Sequence, residues 1–507
     1  MPSITPKNSE LPLVLSIDVG TTSVRAELYD RQGRELQGTV QSAETPLQAT
    51  AEGAATLDAE LLLERTLGVI DQALAAAAQT IGERVQVDAV AISTFWHSFL
   101  GVDAEHRPTT PLLLWADSRA RQQMLELRAR LDERAVHART GCLLHWSYWP
   151  AKMLWLQQVM PDAWKATRRW VSFGEFLHLR LLDRSVCGVS MASGTGLLDQ
   201  NAQQWDSQML DAIHLDPQRL LPLTGQGVAV GNLRPEFAER WPSLREALWL
   251  PAVGDGAASN VGSGCVTQKR MALMVGTSAA LRVAWRGERA PIPWGAWCYR
   301  VDEHRFVLGC ADSNGGNLFA WLDETLQLPP STATEQQLAA MVSDDHGLTV
   351  LPFIAGERGP GYAAHARAAI LGLSQATKPI QILRAGLEAV ALRFALMYGI
   401  VTSELPEPDQ AIATGGALQN SPAWAQMVAD AIGRPLVASG EREASSRGVA
   451  LLALERLGAI KNVETFPTTL EGTYQPDADS HRRLMRAQGR HRHFYQRLVV
   501  DEQPAEE

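Results

Sequence analysis

The sequence predicts an α/β protein of two domains with a cleft between them, and three observations carry that expectation. The chain has 507 residues, too many for one ordinary hydrophobic core and enough for two domains of roughly 250 residues each. Apolar runs alternate with helical periodicities, as in a layered α/β domain. A loop of distinctive composition occurs near the start and again half a chain later.

In the first copy, Leu13-Val14-Leu15-Ser16-Ile17 reads as a buried strand and Val24 to Tyr29 as its returning partner. Gly20, Thr21, Thr22 and Ser23 then form a hairpin tip. Glycine lets backbone N–H groups approach an anion closely, and the hydroxyls add donors, so the tip suits a phosphate group. Asp18 is acceptor-only and suits a metal ion instead. A plain hairpin with a polar tip would look the same, but Met271 to Val283 repeats the pattern: apolar strand, then Gly276, Thr277 and Ser278, then an outgoing arginine. The second copy has no aspartate, so only the first half would hold metal. Phosphate hairpins in separate halves imply a nucleotide clamped between two lobes.

Between the hairpins, Thr56 is expected to cap a helix whose Leu63, Leu67, Ile70, Leu74 and Ala77 share one face. Val87 to Ile92 reads as the next strand, and His97 stands just past its carboxyl end, where open α/β sheets bind ligands. A lone histidine near aromatics is more often structural. Leu112 to Leu114 runs out into Trp115-Ala116-Asp117-Ser118-Arg119. Asp117 there is either a carboxylate suited to adjacent hydroxyls or the N-cap of a helix from Arg121 to Leu131. Asp255 follows another apolar run and lies between Gly254 and Gly256, which leave room for a hydroxyl; a turn aspartate is the alternative. Ile382 to Tyr398 reads as a long core helix. Ile412 to Ala413 enters the Thr414-Gly415-Gly416 turn, and a helix follows from about Ser421. Beyond Gln475 a surface helix and a frayed end are expected.

A net charge of −10 argues against a nucleic-acid surface. Five widely spaced cysteines form neither a disulfide framework nor a zinc site. The first dozen residues lack the features of a targeting segment, and no uninterrupted apolar stretch reaches ~18 residues, so a cytoplasmic protein without a membrane span is expected.

Four segments occur in the order found in the FGGY carbohydrate kinases, and the chain resembles that family over nearly its whole length. They are Asp18 to Arg25, Gly254 to Ala258, Val275 to Ser278, and Thr414 to Asn420. The resemblance implies two actin-like (ribonuclease H-like) domains with an interdomain catalytic cleft. Residues 1–252 would carry the sugar site and first hairpin, and residues 253–507 the catalytic aspartate, second hairpin and adenosine site. It implies transfer of the γ-phosphoryl group of ATP, with Mg²⁺, to a sugar-derived hydroxyl. Asp255 would be the general base and Asp18 the metal ligand. ATP contacts are expected from Gly20, Thr21, Thr22, Ser23, Arg25, Gly276, Thr277, Ser278, Gly316, Gly416 and Asn420. Gly356-Glu357-Arg358 resembles a family signature to which a structural role is assigned.

Pentulose kinases of this family carry Met-His-Gly around the position of His97, and this chain keeps only the histidine. Trp115 to Arg119, Thr140 to Cys142 and His145 to Lys152 look more like the gluconate kinases, in which the position of Tyr148 lines the sugar pocket. Many relatives have an amide residue after the catalytic aspartate, where Gly256 stands here. The expected substrate is therefore an open-chain sugar acid, most of all D-gluconate, with Asp117 and Tyr148 in its site and His97, Arg119 and Lys152 as candidate carboxylate partners. A xylulokinase or another ketose or polyol kinase is the alternative, and an actin-like ATP-dependent binder or sensor a remoter one. The partners would be ATP and a small sugar or sugar acid, with no nucleic acid, no membrane and a homodimer as one candidate assembly.

Overall fold

The computed structural model describes residues 3–82 and 85–501. The expected frayed end falls in part on residues 502–507, which lie outside the described residues. Val14–Val19 and Ser23–Tyr29 form the first hairpin, with Asp18 opposite Arg25. Ala89–Thr94 pairs in parallel with Val14–Val19, and Leu248–Trp249 adds in parallel beyond it. Ala89–Thr94 is buried throughout, which is why Ala-Val-Ala-Ile reads as a continuous small apolar run. The mixed sheet has eight strands in all.

The second domain repeats the plan. Arg305–Asp312, Ala279–Arg286 and Arg270–Val275 are antiparallel neighbours, and Gln410–Thr414 and Leu436–Ser439 extend the sheet in parallel. An antiparallel meander followed by parallel crossovers in each half makes both domains actin-like (ribonuclease H-like). The two hairpin loops differ by one residue: Val19 pairs with Val24 across four, Val275 with Ala279 across three.

Helix Ala59–Ile81 buries the expected face. Its cap, however, is Asp58, whose carboxylate accepts from the Glu60 and Leu61 N–H groups at 2.9 and 3.1 Å. Thr56 is held in the strand Ala55–Leu57, paired to Gln48 and Leu113, and is not free to turn into a helix. The long apolar helix Pro379–Thr402 has the length and hydropathy of a membrane span, but 72% of its most apolar window is buried. It is the core helix of the second domain. Its Arg393 donates to Asp312 at 2.7 Å and pairs with Glu357, so buried charge is matched by buried charge.

Two helices join the halves. Asp255–Gly262 and Ala444–Arg456 cross with their backbones in contact, because Gly262 faces the Ala444 carbonyl and Gly448 the Ala258 carbonyl. A Cβ at either glycine would overlap those oxygens, an overpacking cost of about 1–3 kcal/mol. Helix Ala444–Arg456 also seats on the first sheet: Ser16 Oγ donates to the Ser446 carbonyl at 2.9 Å, and residues from Val449 to Leu454 belong to the first domain's apolar core. Val253–Gly254, paired in parallel with Ser93 and Thr94, leads directly into the Asp255 helix.

Candidate active site

Each of the two repeated hairpins is closed by its own backbone. The Gly20 N–H donates to the Ser23 carbonyl at 2.9 Å, and the Gly276 N–H to the Ser278 carbonyl at 3.0 Å. Gly316 opens the helix Gly316–Thr325, and its N–H reaches the Gly276 carbonyl at 2.8 Å, so close that a Cβ at 316 would overlap that oxygen. Gly415 has φ of 87° and abuts Val275, so only glycine fits that turn. Thus segments far apart in the chain, around 276, 316 and 416, meet at one junction. Asn420 is exposed at the end of the short helix that starts at Gly416. Thr21, Thr22, Thr277, Ser278 and Asn317 line one cleft of about 440 Å³ with Trp115, His145 and Arg358.

Asp18 is the penultimate residue of the strand that leads into the first hairpin loop. Burial pushes its pKa up to about 6; the Ser93 hydroxyl offsets part of this, and Asp255 adds like-charge repulsion. Asp255 is the first residue of its helix and is exposed, with the Gly256 N–H donating to its Oδ1 at 2.8 Å. Enough protein surrounds it that desolvation still raises its pKa, while Arg282 and then Arg358 pull the other way. Arg282, the arginine on the outgoing strand of the second hairpin, is half-buried with its Nε buried and unpaired among the described residues, and desolvation lowers its pKa. Arg25 itself pairs with Glu443, a contact between the first hairpin and the chain leading into helix Ala444–Arg456.

His97 has φ of 66°, a conformation that is strained for a side chain other than glycine. Its ring state follows from its partners. Arg358 Nη2 donates to Nε2 at 3.2 Å, so Nδ1 carries the proton and donates to the Gly194 carbonyl at 2.5 Å. Burial and the Arg358 charge hold its pKa well below the usual range, and the ring is neutral. Tyr148 stands edge-on to it at 5.0 Å, its hydroxyl 2.6 Å from that of Tyr299 on the second sheet. Lys152 is fully buried and donates to the carbonyls of Leu114 at 2.5 Å and His97 at 3.3 Å, fastening two strand ends together. Burial brings its pKa down to about 7. Asp117 and Arg119 face each other: Nη2 meets Oδ2 at 2.7 Å and Nε meets Oδ1 at 3.0 Å, with Arg119 over the Trp155 ring. Asp117 also accepts from the Ala55 N–H and caps no helix, since Arg121–Arg130 starts after Ala120.

Residues 13–262 match the N-terminal domain of the FGGY family of carbohydrate kinases, and residues 271–455 match its C-terminal domain. The chain belongs to this family. It is therefore an ATP-dependent carbohydrate kinase, with ATP as co-substrate, and not an actin-like binder alone. It is 25% identical to a gluconokinase of Bacillus subtilis over 473 residues, covering 91% of each chain. It is 27% identical to a xylulose kinase of Escherichia coli over 494 residues, covering 96% of this chain and 99% of that one. Among solved structures, a gluconate kinase from Lactobacillus acidophilus superposes with a TM-score of 0.88 at 23% identity over 96% of this chain and 98% of that one. That last likeness shows the fold.

Three residues of this kinase escaped the sequence reading. Trp96 fills the space between Gly194, Gly254 and Gly256, its indole N–H donating to the Ser190 carbonyl at 2.9 Å. Any side chain at 256 would meet Trp96 at 2.9 Å and Arg282 Nε at 3.1 Å, so indole and guanidinium occupy the room that a side chain there would need. Arg282 was visible as the outgoing arginine of the repeat, but its approach to Asp255 was not. Arg358 was visible in Gly356-Glu357-Arg358. There Glu357 is buried against Arg393 and Tyr495, whereas Arg358 turns to the cleft.

Proposed function

We propose that this FGGY kinase phosphorylates an open-chain sugar acid, D-gluconate to 6-phosphogluconate. The observation that carries the reading is Arg358. Its guanidinium lines the cleft, leans on the Trp115 ring at 5.5 Å and donates to His97, yet it has no carboxylate in ion-pair contact among the described residues. A cation with no ion-paired carboxylate, set beside neutral donors, suits a carboxylate substrate, which a guanidinium holds through paired hydrogen bonds. Arg119 and Lys152 are engaged with Asp117 and with backbone carbonyls.

In this reading Asp255 accepts the proton of the attacking hydroxyl. The sugar oxygen bonds to the γ-phosphorus, the bond to the bridging oxygen breaks, and ADP leaves. A raised pKa makes Asp255 a better base than an ordinary carboxylate. The hairpin N–H groups and hydroxyls hold the phosphates in line. Mg²⁺ fits at Asp18, because a carboxylate desolvated and repelled by a second carboxylate is relieved by a divalent cation. When bound, the ion supplies neutralisation of the phosphate charge.

A coupled ADP-release assay over gluconate, xylulose, ribulose and glycerol tests the substrate. Gluconate should show the highest kcat/KM. The neighbouring xylulose kinases keep a neutral ketose as the second reading, and a higher kcat/KM for xylulose would establish it in place of gluconate.

A further inference from the structure

His145 is 4% exposed and forms part of the cleft wall beside Arg358. The Ser147 N–H donates to its Nδ1 at 3.2 Å, and the Ser147 hydroxyl lies 2.9 Å from the same nitrogen. Nδ1 is therefore an acceptor, and in a neutral ring the proton sits on Nε2. That Nε2–H has no hydrogen-bond partner among the described residues. The ring is fixed by Trp146, with centroids 3.7 Å apart, and by the edge of Tyr362 at 5.6 Å, so it cannot readily turn to another acceptor. A buried donor without an acceptor costs free energy and calls for an explanation.

The surroundings name the missing acceptor. Burial is the main cause that depresses the basicity of His145, and the cations Arg358, Arg128 and Lys152 depress it further. Those cations oppose an added proton and favour an anion. We infer that His145 is a specificity-determining residue, its Nε2–H and the Arg358 guanidinium together holding the carboxylate of the substrate. This rests on the sugar-acid reading above and adds to it the residue that separates an acid from its neutral counterpart. The reacting hydroxyl at the other end of the chain is left to Asp255.

Glucitol, which carries a CH₂OH group where gluconate has its carboxylate, is the matched probe. Binding of gluconate and of glucitol is measured by calorimetry without nucleotide, and gluconate turnover by ADP release. The native kinase should bind gluconate more tightly; equal affinities would end the sugar-acid reading itself. His145→Leu should weaken gluconate about 10- to 100-fold, the scale of a hydrogen bond to a charged group. The loss should appear in Kd and KM with little change in kcat, while glucitol affinity holds. His145→Gln keeps a donor near the position of Nε2 and should restore most of the preference. Equal weakening of both ligands by Leu, no weakening of gluconate, or a Gln variant as poor as Leu would each overturn the role of His145 while native selectivity for gluconate still stood.

Discussion

Replacing Asp255 by asparagine separates chemistry from binding in this cleft. The swap keeps the shape and keeps Oδ1 as acceptor for the Gly256 N–H, and the residue is exposed, so no cavity forms and the helix start is preserved. What disappears is the ability to take the hydroxyl proton. Loss of a positioned general base costs about 10²- to 10⁴-fold in rate, equivalent to about 3–5 kcal/mol of transition-state stabilisation. The decrease should fall on kcat, with the KM for ATP nearly unchanged. Two electrostatic side effects have definite signs: Asp18 loses a like-charge neighbour, so its pKa drops, and Arg282 loses an attractive partner. MgATP affinity should therefore hold or improve. Steady-state kinetics with a circular-dichroism melt decides the matter. Near-full turnover by Asp255→Asn would refute the assignment and make the residue a helix-start aspartate.

Asp18→Asn should instead raise the Mg²⁺ concentration needed for half-maximal rate, with partial recovery at high Mg²⁺; a magnesium titration checks it. Glu27, fully buried on Ser23–Tyr29, has its pKa pushed up to about 7 by burial. The folded state then holds a proton that the unfolded chain releases near pH 4–5, so stability falls as pH rises toward 7 and stays lowered above it. Glu27→Gln should accordingly raise the melting midpoint by several degrees at pH 8, from a penalty of about 3 kcal/mol, and by almost nothing at pH 4; an equal gain at both would show that the charge is not the cause. The two hairpins lie in different domains and must reach one nucleotide, so gluconate with a non-hydrolysable ATP analogue should shrink the radius measured by small-angle scattering. An unchanged radius at saturation would count against lobe closure.

Local chemistry made much of this kinase legible in its sequence. A strand, a glycine and hydroxyls announce a phosphate hairpin because those residue types do the work wherever the chain goes next, and the repeat at Gly276 revealed two lobes. Apolar length marked Ile382 to Tyr398 as a core helix, which the structure extends to Pro379–Thr402, and the two glycines around Asp255 marked a carboxylate with open access. The direction in which charged side chains turn was not legible, since it depends on partners remote in sequence. Arg119 meets Asp117 two residues away and is occupied, whereas Arg358 meets the lone pair of His97, 261 positions distant, and the Trp115 ring, with no ion pair among the described residues. Tertiary structure likewise put Trp96 into the space that Gly256 leaves, seated a late helix on the first sheet through the Gly262 and Gly448 crossing, and left the Nε2–H of His145 without an acceptor. Backbone conformation and hairpin chemistry are written within a few residues; charge balance in a cleft is a sum over every group that folding brings near.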